Sequence, residues 1–163
     1  MPITSIFSMP SIMLLLLVSL ALPSSIQAEG LHLEVQNGQK ETVFQKDMRE
    51  GQCFGIRFIH SVAKSPVEDW YCVHEVALFL EKTVYQDFGA GLPHCAEATQ
   101  SMRFEKDKIL IEGFHRKLPE FTVRVGRIAE HTLLFPTSNG SYDELALKKL
   151  SAPGSPLTFT LVR

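Results

Sequence analysis

The chain has 163 residues, with 16 Lys+Arg against 18 Asp+Glu, six His and three Cys. No charged side chain falls in residues 1–28, so residues 29–163 carry every charge at about one residue in four, the balance of one soluble globular domain. That length and balance exclude a polytopic membrane protein, a disordered chain and a two-domain enzyme, and a net charge of −2 argues against nucleic-acid binding.

The first predicted element is a leader. Ile12–Leu22 is an apolar block too short to span a bilayer, followed by Pro23-Ser24-Ser25 and by Ala28 at a cleavage position. This pattern predicts a secretory signal peptide over residues 1–28, a β domain over 29–163, and a periplasmic location with no membrane anchor after cleavage. Its n-region lacks Lys and Arg. Export implies an oxidising compartment, in which Cys53, Cys72 and Cys95 form at most one disulfide.

From there the apolar period is two rather than 3.6. Leu31, Leu33 and Val35 alternate up to a hairpin signal at Asn37-Gly38, and Val43-Phe44 follows. Phe54, Ile56 and Phe58 alternate, then Trp70, Cys72, His74, Val76, Leu78 and Leu80 in one run. Met102 and Phe104 precede a turn at Asp107-Lys108, and Ile109–Ile111 reads as a short buried strand. Phe121, Val123 and Val125 alternate up to Gly126. Thr132–Phe135 leads to a hairpin signal at Ser138-Asn139-Gly140-Ser141. Asp143–Leu150 is the one place for a short helix, and a last strand alternates at Leu157, Phe159 and Leu161. Short strands at this spacing predict an all-β antiparallel sandwich or partly open barrel with at most one short helix.

The densest chemistry lies between Phe58 and Pro93. A hairpin centred on Lys64 places His60 opposite Glu68, Phe58 opposite Trp70 and Ile56 opposite Cys72. His60 and Glu68 then form either a clasp closing the hairpin or a pair for ligand contact or acid–base work. The same register puts Cys53 and Cys72 on opposite faces, where they do not bond; a slip of one residue reverses this. In Phe88-Gly89-Ala90-Gly91-Leu92-Pro93, glycines on both sides of Ala90 permit positive φ and an anion-cupping nest, or simply a sharp turn. No strand–helix context follows, so it is not a dinucleotide fingerprint, and no cofactor is expected. Cys72, His74, His94 and Cys95 are the donors for an alternative copper or zinc site, although no further ligands follow at a recognisable spacing. Ser61 adjoins His60, and on a strand the two point to opposite faces, so they make no nucleophile–base dyad. Residues 101–127 carry a net +3 after a first half at −5, a basic strip able to face an anionic ligand or partner.

Ile59-His60-Ser61-Val62, then Pro66-Val67-Glu68 with Trp70, then Phe88-Gly89-Ala90-Gly91-Leu92-Pro93 together resemble the bacterial family known as domain of unknown function family 1850. The segment around Val123-Arg124-Val125-Gly126 and the last strand fit it as well. The three cysteines are not part of that pattern. The resemblance implies association with TAXI-type tripartite ATP-independent periplasmic (TRAP) transporters, through their membrane or solute-receptor subunit. It points to His60, Ser61, Glu68, Gly89, Gly91 and Pro93 as the ligand- or partner-binding surface. The leading expectation is therefore a non-catalytic periplasmic accessory or binding protein taking a partner subunit or a small anionic solute. The alternatives are a periplasmic metal-binding protein, and a small hydrolase or lyase using His60 and Glu68.

Overall fold

The structure is a computed structural model that describes residues 30–89 and 91–163; the leader read over residues 1–28 lies outside them. The described residues form eleven strands. They are β1 (Leu31–Gln36), β2 (Thr42–Met48), β3 (Cys53–Ile59), β4 (Pro66–His74), β5 (Ala77–Tyr85), β6 (Ser101–Glu105), β7 (Lys108–Leu118), β8 (Glu120–Arg124), β9 (Thr132–Pro136), β10 (Tyr142–Ala146) and β11 (Pro156–Val162). They build two antiparallel sheets, β2-β1-β11-β8 and β10-β9-β3-β4-β5-β7-β6. The sheets pack face to face without closing into a barrel, as the all-β sandwich reading expects.

The inter-sheet core is the alternation read from the sequence. Leu33 and Val35 of β1 and Leu157 and Phe159 of β11 meet Phe54, Tyr71, Val73, Leu78 and Leu133 of the larger sheet, all buried. Tyr71 stacks on Phe121 at 4.3 Å and Phe121 on Phe159 at 4.9 Å, so aromatic rings bridge the two layers. A second cluster lies outside this overlap: Val67, Tyr85, Ile109 and Ile111, with Phe58, Met102, Phe114 and Leu92 against it. No residue of the smaller sheet belongs to it. The connection between β5 and β6 supplies Leu92, and Tyr85 donates its hydroxyl to the Pro93 carbonyl at 2.5 Å.

Three local expectations change. Asp143–Leu150 is not a helix: β10 occupies Tyr142–Ala146 on the edge beside β9, and only Leu147–Lys149 makes a 3-10 turn. The long alternation from Trp70 to Leu80 is two strands. They are joined at Glu75-Val76, whose φ angles of 49° and 59° make a two-residue hairpin turn without glycine. The β3–β4 hairpin is not centred on Lys64. His60–Ser65 is a six-residue loop, closed by the His60 amide donating to the Ser65 carbonyl at 2.9 Å and the Lys64 amide to the His60 carbonyl at 3.0 Å. Lys64 itself takes φ 57°.

That closure shifts the register by three residues, an odd number, and so exchanges the faces. Arg57, not His60, opposes Glu68; Phe58 opposes Val67, and Cys53 directly opposes Cys72. Cys53 and Cys72, expected not to bond, form a disulfide with Cα atoms 4.0 Å apart. Cys95 is the exposed free thiol.

Candidate functional site

Strand β4 carries two kinds of side chain. Val67, Asp69, Tyr71 and Val73 point into the sandwich, whereas Glu68, Trp70, Cys72 and His74 point outward. Asp69 therefore sits on the inner face, at the junction between the two apolar clusters. Its cross-strand neighbour is Thr83 of β5, whose hydroxyl donates to Asp69 Oδ1 at 2.8 Å. Burial raises the Asp69 carboxyl above the usual carboxylate range, and the Thr83 hydrogen bond offsets part of that rise. Burial and, secondly, the negative charge of Asp69 raise the neighbouring Tyr71 phenol.

Asp69 and Thr83 help to line a cavity of about 430 Å³. Phe58, Val67 and Phe114 form its apolar walls, His60 enters from the β3–β4 loop, and Gly91, Leu92 and Pro93 close over it from the β5–β6 connection. The His60 ring is held by its own loop, because Nδ1 accepts the Ala63 amide at 3.1 Å. In the neutral ring this acceptor role leaves the proton on Nε2. Gly89 packs against the same ring: a Cβ there would lie 2.9 Å from His60 Cε1. The glycine is thus needed for close approach, while Gly91, at φ 90°, supplies the left-handed turn. Of the two glycines expected to take positive φ in a nest, only Gly91 does so.

The structure brings together His60, Gly89, Gly91 and Pro93 and separates the other expected residues from them. Ser61 is exposed in the loop. Glu68 is on the outer face, where it accepts the Trp70 indole N–H at 3.3 Å; the odd register shift removes its pairing with His60. Hence the His60–Glu68 pair does not exist, neither as clasp nor as acid–base couple. The residues that replace it, Asp69 and Thr83, were legible only as a carboxylate interrupting the apolar series Val67, Tyr71, Val73.

The alternative metal donors are also dispersed. Cys72 is held in the disulfide and Cys95 lies in the exposed β5–β6 connection, as does His94, whose ring meets Phe88 at 5.4 Å. His74 turns instead to Glu50 at 3.7 Å and Glu81 at 3.5 Å, and His115 contacts the same Glu81 at 3.0 Å. Among the described residues no group of three or more His, Cys, Asp or Glu is placed to hold a metal ion.

On the outer face of the larger sheet a groove of about 440 Å³ is bordered by the β9–β10 turn. The disulfide, Trp70, Lys82 and Tyr142 line it. The Trp70 indole lies over Gly55, where a Cβ would come within 3.2 Å, and Lys82 Nζ stands 5.1 Å from the ring. The hairpin turn itself, Thr137–Ser141, is the one expected at Asn139-Gly140.

No curated protein and no solved structure matches this chain. One family model does: it covers residues 54–142, from β3 to the first residue of β10, which includes every residue lining the inner cavity. With more than half of its length in that match, the chain belongs to the family described as Domain of unknown function (DUF1850).

Proposed function

We propose that this protein is an exported, non-catalytic binding module that holds a small solute in the inner-face cavity and works beside a TAXI-type TRAP transporter. The observation that carries the reading is convergence. His60 and the Gly89–Pro93 segment, distant in sequence, meet over the inner sheet at a cavity with one hydrogen-bonded carboxylate and aromatic walls. A mostly apolar cavity with a few converging polar groups is the usual form of a small-molecule site. Binding rather than turnover is favoured because Glu68 lies across the sheet from His60 and the ring's Nδ1 is committed to a backbone amide. Periplasmic location rests on the leader at residues 1–28, and a disulfide between Cys53 and Cys72 fits an oxidising compartment. The transporter partner rests on the family resemblance.

The test is solute uptake in a deletion strain carrying wild-type protein or His60→Ala, combined with co-purification from a periplasmic extract. The expected result is recovery of a TRAP membrane or solute-receptor subunit, and impaired uptake with His60→Ala. Normal uptake in the deletion strain and no recovered transporter subunit would overturn the proposal.

A further inference from the structure

We infer that the solute held in the inner cavity is a small organic cation, an ammonium group on an apolar body, with Asp69 as its counter-ion and Phe58 and Phe114 as its aromatic walls. This rests on the binding reading above and adds the charge and class of the ligand.

The argument begins with the charges of the lining. Asp69 is its carboxylate, and among the described residues no Lys or Arg contributes to it. The ion pairs among the described residues engage Asp47, Glu50, Glu81, Glu105, Glu112 and Glu144, and not Asp69. The side-chain partner of Asp69 is the Thr83 hydroxyl at 2.8 Å, which occupies one of about four acceptor positions on a carboxylate. A carboxylate taken out of water without a countercharge is costly, and an entering cation offsets that cost, whereas an entering anion adds to it. The basic strip at residues 101–127, from which an anionic solute was expected, contributes only Phe114 to this lining.

The walls agree with the charge. Phe58 and Phe114 present aromatic surface, whose negative ring faces attract ammonium groups. Val67 and Leu92 supply apolar surface for the rest of the ligand. A volume of about 430 Å³ suits a molecule of one ring or a short branched chain rather than a peptide. The other ionisable groups around the cavity are His60 on the β3–β4 loop, Tyr71 on β4, Tyr85 on β5, whose hydroxyl is bound to the Pro93 carbonyl, and His131, whose ring packs on Phe58; β5 also presents Thr83 and β7 presents Phe114, neither of which is charged.

The experiment is calorimetric titration of the purified protein with three probes of similar shape: benzyltrimethylammonium, whose charge does not titrate, benzyl alcohol and benzoate. The expected result near neutral pH is binding of the cation at least about tenfold tighter than of the other two, a difference of about 1.4 kcal/mol. Asp69→Asn is expected to remove that preference, and Lys82→Ala, in the outer groove, to leave it unchanged. A measurement on the unaltered cavity protects the test if Asp69→Asn does not fold. Affinity for the fixed cation falls as pH is lowered through the Asp69 titration, and it still falls in His60→Gln, which removes the imidazole. Equal binding of benzyl alcohol or benzoate, with no effect of Asp69→Asn, overturns the cation while leaving a binding cavity. Binding of none of the three probes at millimolar concentration overturns the cation as well. Failure of the binding reading is read separately, from unimpaired uptake with His60→Ala.

Discussion

The two faces of β4 use polar residues in opposite ways. On the outer face polar groups have partners: Glu68 takes the Trp70 indole N–H, Arg57 pairs with Glu144 at 2.7 Å, and Cys53 is bonded to Cys72. On the inner face, Asp69 is half-buried beside a cavity with a hydroxyl partner and no countercharge among the described ion pairs. The outer arrangement adds stability. The inner one costs stability and leaves an acceptor directed at ligand-sized space, which is the expected signature of a site rather than of a scaffold. Removing the bonded groups of the outer face and removing the Asp69 charge should therefore move stability in opposite directions.

The largest effect belongs to the outer face. Cys53 and Cys72 are 19 positions apart in the sequence, and the segment between them contains the whole His60 loop. Opening this bond, by reduction or by Cys53→Ala with Cys72→Ala, is expected to cost about 2–4 kcal/mol through the gain in unfolded-chain freedom. Trp70 is the chain's single tryptophan and lies in the groove that the disulfide lines, so its fluorescence follows urea unfolding of both forms. Equal midpoints with and without the bond would mean that the outer face contributes little, and the contrast would fail.

The next effect tests how the inner face is shaped. Gly89→Ala drives a Cβ to 2.9 Å from His60 Cε1. The ring cannot retreat without loosening its hydrogen bond to the Ala63 amide. A loss of about 1–3 kcal/mol is expected, as for overpacking elsewhere, together with weaker binding of the cationic probe. Gly91→Ala meets no neighbouring atom within 4 Å but must adopt φ 90°, so its cost is strain alone. If Gly89→Ala leaves both stability and binding unchanged, the close approach of loop and connection is not what forms the cavity.

The contrast between the faces also explains what the sequence reveals. β1 and β11 are legible because simple alternation is bounded by turn residues, Asn37-Gly38 and Pro153-Gly154, and β2 and β9 because short apolar runs adjoin the hairpin signals at Asn37-Gly38 and Asn139-Gly140. The β4–β5 hairpin is not, for two reasons. Glu75-Val76 carries no turn signal, and a two-residue turn pairs His74 with Ala77, so the alternating series continues unbroken while its members change face. Trp70, Cys72 and His74 are outward, yet Leu78 and Leu80, next in the same series, sit at the inter-sheet core. The site was half legible. His60 and the glycine segment stand out as residue types, but finding Asp69 requires the true β3–β4 register, which depends on a six-residue loop closed mainly by backbone bonds. A register three residues off sets Glu68 opposite His60, where the structure has Arg57.

A smaller effect, of opposite sign, separates the faces most clearly. Because the folded-state pKa of Asp69 is raised above its ordinary 3.8, its contribution is fully present below that value and is lost as pH rises through the folded-state pKa. Asp69→Asn keeps an acceptor for Thr83 and removes the charge. At neutral pH it is expected to be more stable than wild type by about 1 kcal/mol, and below the ordinary carboxylate range the two should converge. Urea midpoints at a series of pH values measure this directly. A variant that is less stable at neutral pH would show that a countercharge already serves Asp69, and the inner face would then resemble the outer.

The smallest effect concerns the loop that carries His60. Ser65 is only 6 % exposed, and its hydroxyl has no hydrogen-bond partner among the described residues, although its carbonyl closes the loop by accepting the His60 amide. Deleting an unsatisfied buried hydroxyl removes a desolvation cost while sparing the backbone bond that sets the register. Ser65→Ala is therefore expected to raise stability by less than about 1 kcal/mol with cation binding unchanged. A gain in stability accompanied by loss of binding would sharpen the contrast: the unpaired hydroxyl would join Asp69 as an inner-face group kept for the ligand at the expense of the fold.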